Sequence, residues 1–150
     1  MIQNFNDMFL ISRWQPRETK YSLSVYIESL GLSDLTLSPV GINSECYRIY
    51  ESISMGSVPV IENIMTPGLC GNDPGGILAP APLRLLKTLN APVIYINDWS
   101  ELPNLITKEL NMSLQEKIKR RIKLVQWYEN FKIFFKEQLL SVIKDNVARS

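Results

Sequence analysis

Four short apolar runs mark the first hundred residues: Met8–Ser12, Leu35–Ser38, Val58–Ile61 and Val93–Ile96. Each is rich in Val, Ile, Leu, Phe or Tyr and none alternates cleanly with polar positions. That pattern predicts strands buried on both faces of a parallel sheet. Helical spacing fills the intervals at Tyr21–Leu30, Glu45–Met55 and Leu83–Asn90. Strand, helix, strand, helix predicts βαβ units and an α/β fold. Pro59 conflicts with a central strand because it has no N–H to donate, so it is expected at a strand start. Residues 66–82 hold four prolines and four glycines, which predicts a long loop, and loops of that length usually carry function.

The last forty residues follow a different period. Ser113-Leu-Gln-Glu116 is a capping box, in which serine and glutamate satisfy each other's free backbone donors. Behind it Ile118, Ile122, Val125, Tyr128, Phe131, Phe135, Leu139 and Val142 recur every three or four residues. The spacing predicts a helix from about 114 to 146, roughly 50 Å long at 1.5 Å per residue. A compact chain of this length has a radius of gyration of only about 15 Å, so such a helix breaks or reaches past the fold. The chain therefore divides into a Rossmann-like unit over 1–112 and an amphipathic helical tail over 113–150. What the tail packs against, that unit or another, is left open by the periodicity.

Composition narrows the chemistry. The 150 residues contain no histidine, which removes Ser-His-Asp hydrolysis, Cys-His catalysis and most zinc sites. Cys46 and Cys70 cannot make a cysteine-rich metal site and do not form C-x-x-C; they could be one disulfide or two buried thiols, and buried small side chains are the simpler reading. No uncharged run approaches the ~20 residues of a membrane span, and the first nine residues lack the basic region of a signal peptide. A soluble chain is expected. Net charge is −4 over residues 1–110 and +5 over 111–150. Lys117, Lys119, Arg120, Arg121 and Lys123 supply much of that excess and are expected on one solvated helix face. No nucleic-acid-binding motif accompanies them.

The chemically informative stretch is Leu37-Ser-Pro-Val-Gly-Ile-Asn-Ser-Glu-Cys-Tyr-Arg-Ile-Tyr-Glu51. A buried strand ends at Ser38, Pro39 and Gly41 open a loop, and Asn43 or Ser44 can cap the next helix. Open α/β folds bind ligands at this carboxyl edge, and free N–H groups at a helix start favour phosphate. Cys46, Ile49, Tyr50 and Ile53 form the helix's apolar stripe, while Glu45, Arg48 and Glu51 fall off it three residues apart. Two readings follow. Arg48 meets a phosphate and Glu51 accepts from a ribose diol, as a nucleoside diphosphate would require. Alternatively the three residues form an exposed charge ladder contributing about 0.2–0.5 kcal/mol per pair. Walker and G-x-G-x-x-G signatures are absent.

The run Pro39-Val-Gly through Arg48-Ile-Tyr-Glu51 to Gly56-Ser-Val-Pro-Val-Ile61 resembles the donor-binding motif of exostosin-type glycosyltransferases. Within that group the chain is most similar to the ribitol-phosphate xylosyltransferases. The matching pieces include Trp14-Gln-Pro-Arg-Glu-Thr19, Ser33-Asp-Leu-Thr-Leu37, Ala81-Pro-Leu83, Glu101-Leu-Pro103 and Gln126-Trp-Tyr128, in order over most of the chain. The resemblance implies the C-terminal, donor-binding half of a GT-B fold, with UDP-xylose as donor and no metal or cofactor required. It implies inverting transfer to ribitol 5-phosphate on the O-mannosyl glycan of α-dystroglycan, in the Golgi lumen beside other transferases of that pathway. By position it places Gly41 and Ser44 at the diphosphate loop beside Glu45, Arg48 on diphosphate charge and Glu51 on the ribose. The family's membrane anchor and N-terminal half have no counterpart in these residues, nor does the catalytic base. A non-catalytic module that docks its tail helix on a partner is the other expectation. Asp73 and Glu62 are weaker candidates for sugar contacts, Trp14 and Trp127 are expected to pack, and Asn111-Met-Ser113 is a glycosylation sequon.

Overall fold

A computed structural model describes residues 19–41, 45–63 and 83–147. In chain order they form α1 (Lys20–Leu32), β1 (Leu35–Ser38), α2 (Tyr47–Ser54), β2 (Val58–Glu62), α3 (Arg84–Thr88), β3 (Ile94–Ile96), a 3-10 turn at Trp99–Glu101, α4 (Leu102–Leu110) and α5 (Leu114–Val147). The strands make one parallel sheet in the order β1-β2-β3, with Ser38 opposite Ile61 and Ile61 opposite Tyr95. This is the α/β fold the hydrophobic pattern predicts, with flanking helices and a long C-terminal helix. The runs Met8–Ser12 and 66–82 lie outside the described residues, as do Trp14, Cys70 and Asp73. Among the described residues no helix is long and apolar enough to cross a membrane.

Pro59 sits second in the central strand, and the register explains how the sheet tolerates it. Val58 N–H reaches toward β1, donating to Asp34 O at 3.0 Å, so the next residue's nitrogen faces β3. The β2–β3 ladder begins only at Val60 opposite Ile94. Proline thus precedes the β2–β3 ladder, and its missing donor breaks none of that ladder's pairs. The 3-10 turn and α4 escaped the apolar periodicity, although their signals are local: Asp98 and Glu101 form a capping box and Pro103 enters the first turn of α4.

The core joins α2, the sheet, α3 and α5 through Ile49, Ile53, Val58, Ile61, Leu83, Leu86 and Leu124, all essentially solvent-free. The capping box at Ser113 and Glu116 forms as expected. The expected stripe of α5 is corrected, however. Ile118 and Ile122 are 47% and 53% exposed, while Leu124 is fully buried. Trp127 packs and donates to Leu89 O at 2.8 Å. The cause is electrostatic. Of the basic residues expected on the solvated face, Lys119 and Lys123 are exposed, but three turn toward the fold: Arg121, Lys117, which pairs with Asp34 at 2.9 Å, and Arg120, which forks onto Glu109 of α4.

Arg121 binds most widely. Its guanidinium donates to Ser33 O at 2.9 Å and to Gly31 O, both at the end of α1, and to Met55 O at 3.2 Å, at the end of α2. A cation there satisfies orphan carbonyls and complements the negative ends of both helix dipoles. Gly56 makes this approach feasible. Its φ of +77° suits glycine, and an added Cβ would meet Arg121 Cβ at 3.4 Å. Arg121→Ala is expected to cost about 2–3 kcal/mol in denaturant unfolding, as for hydrogen bonds to a charged group. Arg121→Lys should recover only part, because the ammonium lacks the planar fork.

Candidate functional site

The carboxyl edge of the sheet gathers the chain's polar side chains. After β1 come Pro39, Val40 and exposed Gly41; after β2 comes Asn63; after β3 come Asn97 and Asp98. Glu62, a candidate for sugar contact, binds these turns together. Its Oε2 accepts from Trp99 Nε1 at 3.0 Å and from Val40 N at 3.4 Å. Lys87 of α3 donates to Asn63 Oδ1 at 2.5 Å, and Asn63 Nδ2 reaches Asn97 Oδ1 at 3.5 Å. Gly41 has open space where a side chain would stand, so no close packing demands glycine there.

Helix α2 starts at this edge, two residues later than the sequence reading placed it. Its N-cap is Cys46, not Asn43 or Ser44, and no side chain caps it. Among the described residues its first-turn N–H groups have no side-chain acceptor. Cys46 is a half-buried free thiol. Ser44 lies outside the described residues. The later start moves Arg48 to the second residue of the helix, closer to its positive end. The apolar stripe forms as expected: Ile49 and Ile53 are buried, and Cys46 and Tyr50 pack at the core's margin. Glu45, Arg48 and Glu51 are exposed on the other side.

The exposed charge ladder does not form. Among the described residues neither Glu45 nor Glu51 is ion-paired with Arg48. Each carboxylate is taken by a tyrosine instead. Tyr26 of α1 donates its hydroxyl proton to Glu51 Oε2 at 2.6 Å, and Tyr50 donates to Glu45 Oε1. Tyr50 is itself held by α5, its ring stacked on Phe131 at 5.6 Å, and Phe131 stacks on Trp127 at 5.1 Å. Burial and the neighbouring Glu45 carboxylate raise the pKa of Tyr50 and, more weakly placed in the same cluster, that of Tyr95. Among the described residues the buried Tyr95 hydroxyl has no partner, nor does Ser38 Oγ, which lies in the same cross-strand row on β1.

Tyr26 was missed by sequence reasoning because it lies 25 residues from Glu51 on a helix whose periodicity carries no functional signal. Its pKa is pushed up to about 12, first by burial and then by the hydrogen bond and charge of Glu51, with Arg48 pulling the other way.

Comparison with known proteins places this arrangement. The model of the family described as RXYLT1 C-terminal domain matches residues 3–148, nearly the whole chain. The chain belongs to that family. It is 50% identical over 133 residues to ribitol-5-phosphate xylosyltransferase 1 of Homo sapiens, and 46% identical over 136 residues to the protein of that name from Danio rerio. These alignments cover 89% of the chain and 30% of each relative, so the chain spans under a third of the length of the curated relatives it matches. No solved structure matches it significantly.

The raised pKa of Tyr26 gives a test of the site's geometry. A phenol titrating above its ordinary value of 10 contributes stability that is present below pH 10 and lost as pH rises toward about 12. Phenolate absorbance should show Tyr26 among the tyrosines that titrate late, and Tyr26→Phe should remove one late-titrating group. Glu51→Gln should lower that pKa only in part, because burial is the larger cause.

Proposed function

We propose that this chain is the nucleotide-sugar-binding part of an inverting xylosyltransferase. The observation that carries the reading is the position of Arg48. It stands at the second residue of α2, at the carboxyl edge of a parallel sheet, with neither flanking carboxylate neutralising it. Membership of the RXYLT1 C-terminal domain family supplies the chemical context. On this reading the donor is UDP-xylose. Its diphosphate lies against the α2 N-terminus and the loop of Gly41 and Ser44, beside Glu45, with Arg48 on the diphosphate charge. Glu51, about one turn further along, accepts hydrogen bonds from the ribose hydroxyls.

The acceptor on this reading is ribitol 5-phosphate on the O-mannosyl glycan of α-dystroglycan, in the Golgi lumen alongside other transferases of the pathway. An acceptor hydroxyl attacks the anomeric carbon as its bond to the UDP oxygen breaks. The hydroxyl proton passes to a general base, and UDP leaves with the bonding electrons. Charge develops on the departing diphosphate, where a fixed guanidinium and helix N–H groups are most effective. That requirement is met without a metal or cofactor. The residues named here bind the donor; none of them is assigned as the base.

The exposed distal face of α5, with Phe135, Leu139 and Val142 each more than half exposed, favours a second reading as a non-catalytic module that docks this helix on a partner. Calorimetric titration with UDP and UDP-xylose separates the two. Saturable binding is expected, weakened by about 1.5–3 kcal/mol in Arg48→Ala and in Glu51→Ala. Binding unchanged in both variants would overturn the donor site.

A further inference from the structure

Arg48 and Glu51 are i,i+3 neighbours on an exposed helix face, a spacing at which opposite charges ordinarily pair. They do not pair in this structure. What intervenes comes from another element: α1 packs beside α2 and delivers the Tyr26 hydroxyl to Glu51 Oε2 at 2.6 Å. That length is in the range of a charge-assisted O–H···O⁻ bond, which is about twice as strong as a neutral one. An exposed i,i+3 ion pair is weak beside such a bond, and the phenol, which Arg48 also approaches, stands between the guanidinium and the carboxylate. The Tyr26 ring is half-buried against its own helix packing, which fixes the donor before any ligand arrives. Glu51 Oε1 makes no hydrogen bond among the described residues.

From this we propose that Tyr26 is a positioning residue of the donor site, holding Glu51 off Arg48 so that the carboxylate meets a ribose diol and the guanidinium meets a diphosphate. The inference rests on the reading of Arg48 and Glu51 as ligand-binding residues and adds the device that keeps them apart. With Tyr26 in place, one carboxylate oxygen is occupied and the other is left for a ligand hydroxyl. Without it, Glu51 is free to rotate onto Arg48 three residues away. The two groups that should recognise opposite ends of a nucleoside diphosphate would then satisfy each other. Tyr26 touches neither phosphate nor sugar in this scheme. Its effect passes through Glu51.

A structural role alone would weaken every ligand alike, whereas a positioning role acts on the diol. The test is therefore a ratio. The full chain and its Tyr26→Phe, Glu51→Gln and double variants are titrated with UDP and with 2′,3′-dideoxy-UDP, which keeps the diphosphate and lacks both hydroxyls. Thermal melts confirm that each variant folds. Tyr26→Phe is expected to lower the preference for UDP over the dideoxy analogue by about five- to tenfold, the size of one ordinary net hydrogen bond. Glu51→Gln should nearly abolish that preference, and adding Tyr26→Phe to it should change nothing further. Equal weakening of both ligands in Tyr26→Phe, or no change, with Glu51→Gln still erasing the preference, would overturn the role of Tyr26 and leave the donor site standing. A preference for UDP that survives Glu51→Gln, or a wild-type chain that binds neither ligand, would overturn the reading of the site and this inference with it.

Discussion

The contact on which most of the architecture depends is the Arg121 guanidinium. Three carbonyls from two helices converge on it, Gly31 and Ser33 at the end of α1 and Met55 at the end of α2. Each of those helices would otherwise end with unsatisfied acceptors against the body of α5. One side chain thus sets the height at which both helices stop and the face that α5 turns toward them. Lys117 on Asp34 fixes the same face one turn earlier, Arg120 on Glu109 adds a bond to α4 beside it, and Trp127 on Leu89 fixes it about two turns later. α5 is a spine tied to the rest of the fold by polar bonds at its edges and by Leu124 at its centre.

That spine bears on the site through aromatic rings. Trp127 and Phe131 on α5 prop Tyr50, and Tyr50 holds Glu45. On the other flank α1 holds Glu51 through Tyr26. Glu51 is therefore oriented from α1, and Glu45 by a tyrosine of α2 that α5 props in place. Arg48 is the one member of the i,i+3 series without a carboxylate, and it approaches the Tyr26 hydroxyl that Glu51 accepts from. Local spacing alone predicts a self-neutralising ladder; the tertiary contacts convert it into separated charges.

The legibility of this arrangement follows from how local each signal is. β1, β2 and most of β3 were readable because strands buried on both faces leave uninterrupted apolar runs. The long tail helix was readable from its capping box and its length of periodic sequence. Its facing was not, because the residues that orient it are lysine and arginines, which composition assigns to solvent. Glu45, Arg48 and Glu51 could be picked from a helical wheel and from the family resemblance. Tyr26 could not, since its bond to Glu51 exists only once α1 and α2 are packed. Asp98 and Glu101 were readable as a capping box and were overlooked beside the stronger apolar signals.

Pro59 has a consequence for the whole carboxyl edge. If β3 slid along β2 toward its amino end, a β3 carbonyl would come to face the proline nitrogen and find no proton there. The proline therefore acts as a register lock, penalising the slipped pairing while costing the native one nothing. With Val60 opposite Ile94 enforced, Ile96 must lie opposite Glu62, and the turn after β3 must bring Trp99 to the Glu62 carboxylate. A residue at the blunt end of the sheet, remote from any ligand, thereby dictates where the working end is assembled.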